Sequence, residues 1–147
     1  MKLRRAVSGD LAALTALQQA AYAPLKARIG MTLQPADADF AAVLADKVVW
    51  VAGAPDDLDV ALILDPKPDH LLIWSLAVAP HLKGQGLGGA LMDFAEAEAR
   101  RFGLGTVRLY TNARFVENIA WYQRRGYAIE RIEERADRRI VHFLRTL

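Results

Sequence analysis

Apolar positions change their period several times along the chain, and each change marks a new element. Leu3 to Val7 reads as a short strand. Leu11, Leu14 and Leu17 then recur at helical spacing behind Ser8, a residue type that caps helices, with Asp10 suited to the helix dipole. This predicts a helix to about Tyr22. Pro24, Gly30 and Pro35 make 23–35 a loop, and a second short helix is expected over Ala36 to Ala45. Three strand-like segments follow: Val48 to Ala52, Asp59 to Leu64 and Leu71 to Val78. The turn-rich runs Gly53-Ala54-Pro55-Asp56-Asp57 and Asp65-Pro66-Lys67-Pro68-Asp69 separate them, so an antiparallel meander is expected.

Past Val78 the period lengthens again. Leu87, Ala90, Leu91, Phe94 and Phe102 form a helical stripe that Gly103 is placed to end in a left-handed cap. Thr106 to Tyr110 is a strand. Phe115, Ile119 and Tyr122 form a second stripe, stopped by Gly126. Tyr127 to Ile132 and Ile140 to Leu144 form a closing hairpin. The order is β-α-α-β-β-β-α-β-α-β-β, an α/β domain over residues 1–147 around one mixed sheet.

Composition narrows the classes. The chain has 147 residues, a common size for one domain, and 53% of them are hydrophobic against 24% charged, enough to build a core. It has no cysteine, which excludes a disulfide scaffold, a thiolate metal site and a cysteine nucleophile. His70, His81 and His142 lack the spacing of a metal site, so no metal is expected. No signal-length apolar stretch follows Met1, and none approaches the roughly 20 residues of a membrane span. A soluble, cytoplasmic protein is expected. The net charge is only +2, and the C-terminal arginines alternate with Glu130, Glu133, Glu134 and Asp137, the pattern of a solvated face rather than a nucleic-acid surface.

The segment richest in chemistry is Lys83-Gly84-Gln85-Gly86-Leu87-Gly88-Gly89, between a strand and a helix. Such glycines let backbone approach a ligand, and free amides at a helix start attract a pyrophosphate. A Walker loop is excluded, because Gly88-Gly89-Ala90 stands where Gly-Lys-Ser/Thr is required. Gly84, Gly86 and Gly89 do fit the dinucleotide fingerprint, but the next strand ends Leu109-Tyr110-Thr111 with no acidic residue to hold a ribose. A ligand-free turn and a coenzyme A site complete the alternatives.

The run Leu76-Ala77-Val78-Ala79-Pro80-His81-Leu82-Lys83-Gly84-Gln85-Gly86-Leu87-Gly88-Gly89-Ala90-Leu91 resembles the signature of the GCN5-related N-acetyltransferases, Arg/Gln-x-x-Gly-x-Gly/Ala. Gly86 and Gly88 match it, and Lys83 replaces the usual Arg or Gln. Thr111-Asn112 and Glu117 to Tyr127 are similar to the family's second motif, a helix ending Tyr-x-x-x-Gly-Phe/Tyr. The opening Ala6 to Leu11 and the element order are similar too, so the resemblance spans the chain.

The resemblance implies an N-acetyltransferase that carries the acetyl group of acetyl-CoA to a primary amine by direct attack. Leu76, Ala77 and Val78 would pair with the pantetheine arm, and the Val78 amide would face the thioester oxygen. The amides from Gln85 to Ala90 would hold the pyrophosphate beside Lys83. Tyr122 would protonate the departing thiolate, although it also fits the apolar stripe of its helix. Asn118 lies on the same helix face and is a further contact for the pantetheine arm. The family often has an Asn seven residues before the Tyr, and Phe115 stands there. Tyr22, Arg28, Trp74 and Tyr110 are candidates for the acceptor side, together with the loop Tyr22 to Pro35. The acceptor would be a small amine or a peptide N-terminus, and a homodimer is expected. Relatives often place a Glu on the strand before the glycine loop as the base. That strand has none here; His70 lies about 20 Å along the strand from Leu76, too far for contact, and Glu117 is the other candidate, so a water relay past Ser75 with no single essential base is expected. The alternative function is a catalytically weak acetyl-CoA-binding regulatory module.

Overall fold

The computed structural model describes residues 1–30 and 38–147. Seven strands form one sheet: β1 (Arg4–Arg5), β2 (Val48–Ala54), β3 (Asp57–Pro66), β4 (Leu71–Val78), β5 (Thr106–Asn112), β6 (Ala128–Glu134) and β7 (Arg139–Thr146). Their spatial order is β1-β2-β3-β4-β5-β7-β6. Every pairing is antiparallel except β4 with β5. Among the described residues, four α-helices accompany them: α1 (Leu11–Ile29), α2 (Phe40–Asp46), α3 (Leu87–Arg101) and α4 (Val116–Arg124). The mixed sheet and the element order agree with the expectation. Among the described residues, no helix is long and apolar enough to cross a membrane.

Both faces of the sheet are covered over β2, β3 and β4, so β3 is buried without a break from Val60 to Leu64. On one face Leu14 and Leu17 of α1 and Phe40 of α2 meet Val51, Ala61 and Ile63. On the other, Leu91, Met92 and Ala95 of α3 meet Leu62, Leu64 and Ile73. Burying each of the larger of these side chains stabilises the fold by roughly 1.5–3 kcal/mol.

Several boundaries move. The first strand keeps only Arg4 and Arg5, because the chain bends at Val7 into a 3₁₀ turn, Ser8–Asp10. Asp10, not Ser8, secures that turn. Its buried carboxylate accepts the Val7 N–H at 2.8 Å and both Arg4 Nη atoms at 2.8 Å. The guanidinium holds the Asp10 carboxyl below its ordinary range.

The larger correction is α1. It does not stop near Tyr22 but runs through Pro24 to Ile29, and the Gly30 N–H bonds the Lys26 carbonyl at 2.8 Å. A proline inside a helix costs about 3 kcal/mol, which argues for a break. Here Ala21 is buried against the sheet, and Leu14 and Leu17 anchor the same helix face, so packing overrides the local preference. The rest of the expected loop, 31–35, and the expected helix start at Ala36 lie outside the described residues. The second helix starts at Phe40, capped by the Asp39 side chain on the Ala41 N–H at 3.1 Å.

Candidate functional site

The sheet itself opens the site. β4 and β5 pair only at Leu71–Val107 and Leu72–Arg108 and then diverge. A bulge in β4 contributes to this: Ser75 opposes Ile63 and Ile73 opposes Leu64, which leaves Trp74 as the extra residue. The bulge also swaps faces, so Ile73 packs toward α3 whereas Ser75 and Ala77 turn toward α1.

Strand alternation identifies the backbone groups that line the gap. The Ala79 N–H bonds the Asp59 carbonyl at 2.8 Å, so Ala79 faces β3. With a period of two, Ala77 faces β3 as well, while Leu76 and Val78 point their N–H and C=O groups into the gap. Of the three strand residues expected to hold a ligand arm, Leu76 and Val78 offer backbone groups there and Ala77 does not.

The glycine loop closes one end. Gly84 has φ +81° and Gly86 φ +78°, and a Cβ at either would meet no atom within 4 Å. Glycine stands there for backbone conformation rather than for lack of room. Gly86 is the N-cap of α3, and no side chain caps that helix. The first helical bond runs from the Ala90 N–H to the Gly86 carbonyl at 3.1 Å. The amides of Leu87, Gly88 and Gly89 therefore lack helical partners, and the Ala90 amide leaves the expected anion-binding set. A Cβ on Gly88 would touch Trp121 at 3.6 Å, and one on Gly89 would press on Arg125 at 3.3 Å.

A cleft of about 540 Å³ runs along these groups. Leu76, Ala77, Val78, Lys83, Gly84, Gly86, Leu87, Gly88, Gly89, Asn118 and Tyr122 line it, as does Tyr22; Gln85 and Ala90 do not. A second cavity of about 410 Å³ shares Tyr22, Leu25, Asn118 and Tyr122 with the first and continues across the open face of β5 and β7. Trp74, Tyr110 and Phe115 form its walls. Arg28 lines neither; it pairs with the exposed Glu117 at 3.2 Å and lies over the Phe115 ring.

Two tyrosines five residues apart show how differently one side-chain type is used. The Tyr127 hydroxyl donates to Glu96 at 2.8 Å, and Arg145 donates to the same carboxylate at 2.9 Å. That network fastens α3 to the last strands. The Tyr122 ring packs on Tyr127 and Phe143, with centroids at 6.3 and 5.6 Å, and also lines both cavities. Its hydroxyl has no hydrogen-bond partner among the described residues. Tyr122 is thus both part of the aromatic core and an open donor at the junction of the cavities. Burial pushes its pKa above the ordinary tyrosine value.

Tyr22 is held in place. Its hydroxyl lies 3.2 Å from Ser75 Oγ and 3.4 Å from the Leu76 carbonyl, and Ser75 donates to the buried Gln18 Oε1 at 3.1 Å. Ser75 is only 3% exposed and stands behind Tyr22, so it cannot serve as a solvent relay in the cleft. The other titratable candidates sit apart. His70 bonds Asp69 at 2.7 Å and lines neither cavity. Glu117 lies on the cleft wall, where its own backbone N–H and then Arg28 hold its pKa down.

The second cavity is also lined by residues that sequence reasoning did not single out: Glu133, Arg135, Arg138 and His142. Glu133 accepts from Arg135 at 2.8 Å and lies 2.9 Å from His142 Nε2; Arg135 and His142 push its pKa down to about 2. The alternation of charges in 130–139 reads as an exposed ribbon. Only the placement of β7 beside β5 turns its end toward the cavity.

A family model described as acetyltransferase (GNAT) family matches residues 14–127. No curated protein matches the sequence. Among solved structures, the ribosomal-protein-S18-alanine N-acetyltransferase of Escherichia coli superposes with a TM-score of 0.74 at 18% identity, covering 99% of this chain and 92% of that one. A GNAT family acetyltransferase from Elizabethkingia anophelis, solved with acetyl-CoA bound, gives 0.71 at 16% identity over 99% and 97%. The PaiA N-acetyltransferase from Thermoplasma acidophilum, in complex with coenzyme A, gives 0.73 at 16% identity over 97% and 98%.

Proposed function

The chain belongs to the acetyltransferase (GNAT) family, and from that premise we propose that it transfers the acetyl group of acetyl-CoA to a primary amine. One observation carries the reading: uncapped α3 amides, the outward backbone of Leu76 and Val78, and the unpartnered Tyr122 hydroxyl all border one cleft.

The pyrophosphate is held by the amides of Leu87, Gly88 and Gly89 with Lys83 beside them, since the start of a 15-residue helix attracts anions. The pantetheine arm lies along Leu76 and Val78 as a substitute strand. The Val78 N–H donates to the thioester oxygen, a role worth roughly 10²–10³ in rate where such donors have been removed. The amine enters from the second cavity. Its lone pair attacks the carbonyl carbon, the C–S bond breaks, and the sulfur leaves beside Tyr122. Because burial raises the Tyr122 pKa, its hydroxyl stays protonated and hydrogen-bonds the leaving sulfur; the proton it passes to the thiolate is replaced by the one the acylated nitrogen sheds, so no buried tyrosinate persists.

The ammonium must first lose a proton. Glu117 is a weak base, since its surroundings favour the ionised carboxylate. The proton therefore passes to water in the acceptor cavity, with no single side-chain base. The test is CoA release from acetyl-CoA with a panel of amines against none. Amine-dependent release supports the reading. Acetyl-CoA binding without release for any amine would replace it with a binding module.

A further inference from the structure

A chain of hydrogen bonds runs from the core to the junction of the two cavities. It starts at the buried Gln18 on α1 and passes through Ser75 of β4 to Tyr22, one turn further along α1. Ser75 has one hydroxyl hydrogen and gives it to Gln18 Oε1 at 3.1 Å. Its oxygen therefore accepts from Tyr22, whose hydroxyl lies 3.2 Å away, with the Leu76 carbonyl at 3.4 Å as a second acceptor. Turning the Gln18 amide over would reverse the Gln18–Ser75 bond and still leave the Tyr22 hydrogen to the Leu76 carbonyl. In both arrangements that hydrogen is spent inside the protein, and what Tyr22 offers the cavities is an oxygen lone pair.

Tyr122 is the complement, since its hydroxyl has no partner among the described residues and its hydrogen is free. Both tyrosines line both cavities, and they are near enough that Tyr22 adds, after burial, to the upward push on the Tyr122 pKa. The Leu76 carbonyl that Tyr22 reaches faces the gap between β4 and β5. One committed acceptor and one free donor thus border the same junction. A primary amine has work for both. When its lone pair attacks the thioester carbon, the N–C bond forms and the nitrogen carries two hydrogens and a positive charge. As the C–S bond breaks, one hydrogen leaves as the proton that replaces the one Tyr122 gives to the sulfur. The other stays as the N–H of the product amide. A secondary amine brings one hydrogen to this point and must shed it, so a carbon stands against the Tyr22 oxygen instead of an N–H.

We propose that Tyr22 selects primary over secondary amines by accepting a hydrogen bond from the N–H that the amide keeps, with Ser75 and Gln18 as positioning residues that hold its lone pair toward the junction. The proposal rests on the transferase reading and adds to it the basis on which the acceptor nitrogen is chosen.

The experiment compares amines that differ by one N-methyl group: hexylamine against N-methylhexylamine, and phenethylamine against N-methylphenethylamine. Each is assayed at saturating acetyl-CoA with the wild type, Tyr22→Phe, Ser75→Ala and the double variant. Taking the ratio of kcat/KM between proteins cancels the different basicity of the amines. The nitrogen is positive in the transition state, so loss of the Tyr22 oxygen should lower kcat/KM roughly 10- to 100-fold for the primary amines and less than about threefold for the secondary ones. Ser75→Ala should reduce the preference for primary amines roughly 3- to 10-fold by itself and not at all in the Tyr22→Phe background, a coupling that a merely structural Ser75 would not show. Acetyl-CoA affinity, measured by calorimetry, should be unchanged in all three variants. Equal losses for primary and secondary amines in Tyr22→Phe, or no loss for either, overturn the proposal. Equal effects of Ser75→Ala in both backgrounds overturn the positioning role. If acetyl-CoA binds and no amine is turned over, the transferase reading fails by itself. Titration of hexylamine and N-methylhexylamine into the CoA-loaded protein then decides: tighter binding of the primary amine that Tyr22→Phe abolishes supports the selection, and equal binding or no binding in the wild type overturns it.

Discussion

The two ends of the cleft are built from different materials. The end proposed for the cofactor is mostly backbone: left-handed Gly84 and Gly86, the uncapped amides of α3, and the outward groups of Leu76 and Val78. The end proposed for the acceptor is side chains: Trp74 from β4, Tyr110 from β5, His142 from β7, and the arginines of the last hairpin turn. A backbone site tolerates changes of side-chain chemistry as long as the φ angles persist. A side-chain site keeps its shape under substitution and changes what it recognises. Mutations at the first end should therefore remove binding, whereas those at the second should redirect specificity.

The sharpest test of this contrast is Gly86→Glu. A residue with a Cβ at φ +78° is strained by roughly 1–2 kcal/mol, and the carboxylate would face the pyrophosphate. Acetyl-CoA affinity is expected to fall more than about 100-fold, the sum of strain and like-charge repulsion. Calorimetry on the folded variant checks it, and unchanged affinity would show that the backbone loop is not the anion site.

Tyr122→Phe comes next because Tyr122 belongs to both ends. The ring and its packing on Phe143 remain, so KM for acetyl-CoA should change little. The rate constant kcat should drop roughly 10- to 1000-fold, as for loss of a general acid. Full activity would assign Tyr122 to the core alone. The pH profile sharpens the same point. Burial raises the Tyr122 pKa, so its protonated form persists above the ordinary value near 10. Activity should rise toward the amine's own pKa, with no falling limb near pH 10 in the wild type.

The smallest effects are expected from His70→Ala and Glu117→Gln. The first residue lines neither cavity, and the second is an exposed rim carboxylate. Each should keep kcat/KM within about tenfold, below the 10²–10⁴ of a positioned base. A hundredfold loss in either, with acetyl-CoA binding intact, would name the base and end the water route.

What could be read from the sequence follows the same division. The strand, glycine loop and helix from Leu71 to Arg101 are contiguous, and their signals are local: period, glycine spacing, a helix start. The Tyr122 stripe could be read the same way, down to its double character as core residue and cleft lining. Two local signals misled. Pro24 argued for a loop where packing against the sheet keeps α1 helical to Ile29, and Ser8 offered a cap that Asp10 supplies. The charged run from Glu130 to Arg139 carried no periodic cue to set it apart from an ordinary solvated ribbon.

By itself, then, the sequence determined the element order and the glycine turn ahead of α3, because each depends on residues within a few turns of one another and on backbone conformations that glycine alone adopts readily. Tertiary structure decided the rest. The gap between β4 and β5 exists because their pairing stops after two residues. The second cavity exists because β7 inserts between β5 and β6, which carries Arg135, Arg138 and His142 to within reach of Trp74 and Tyr110, tens of residues away in the chain. Side chains from strands so far apart meet only through long-range pairing, and no local period encodes which strands those will be.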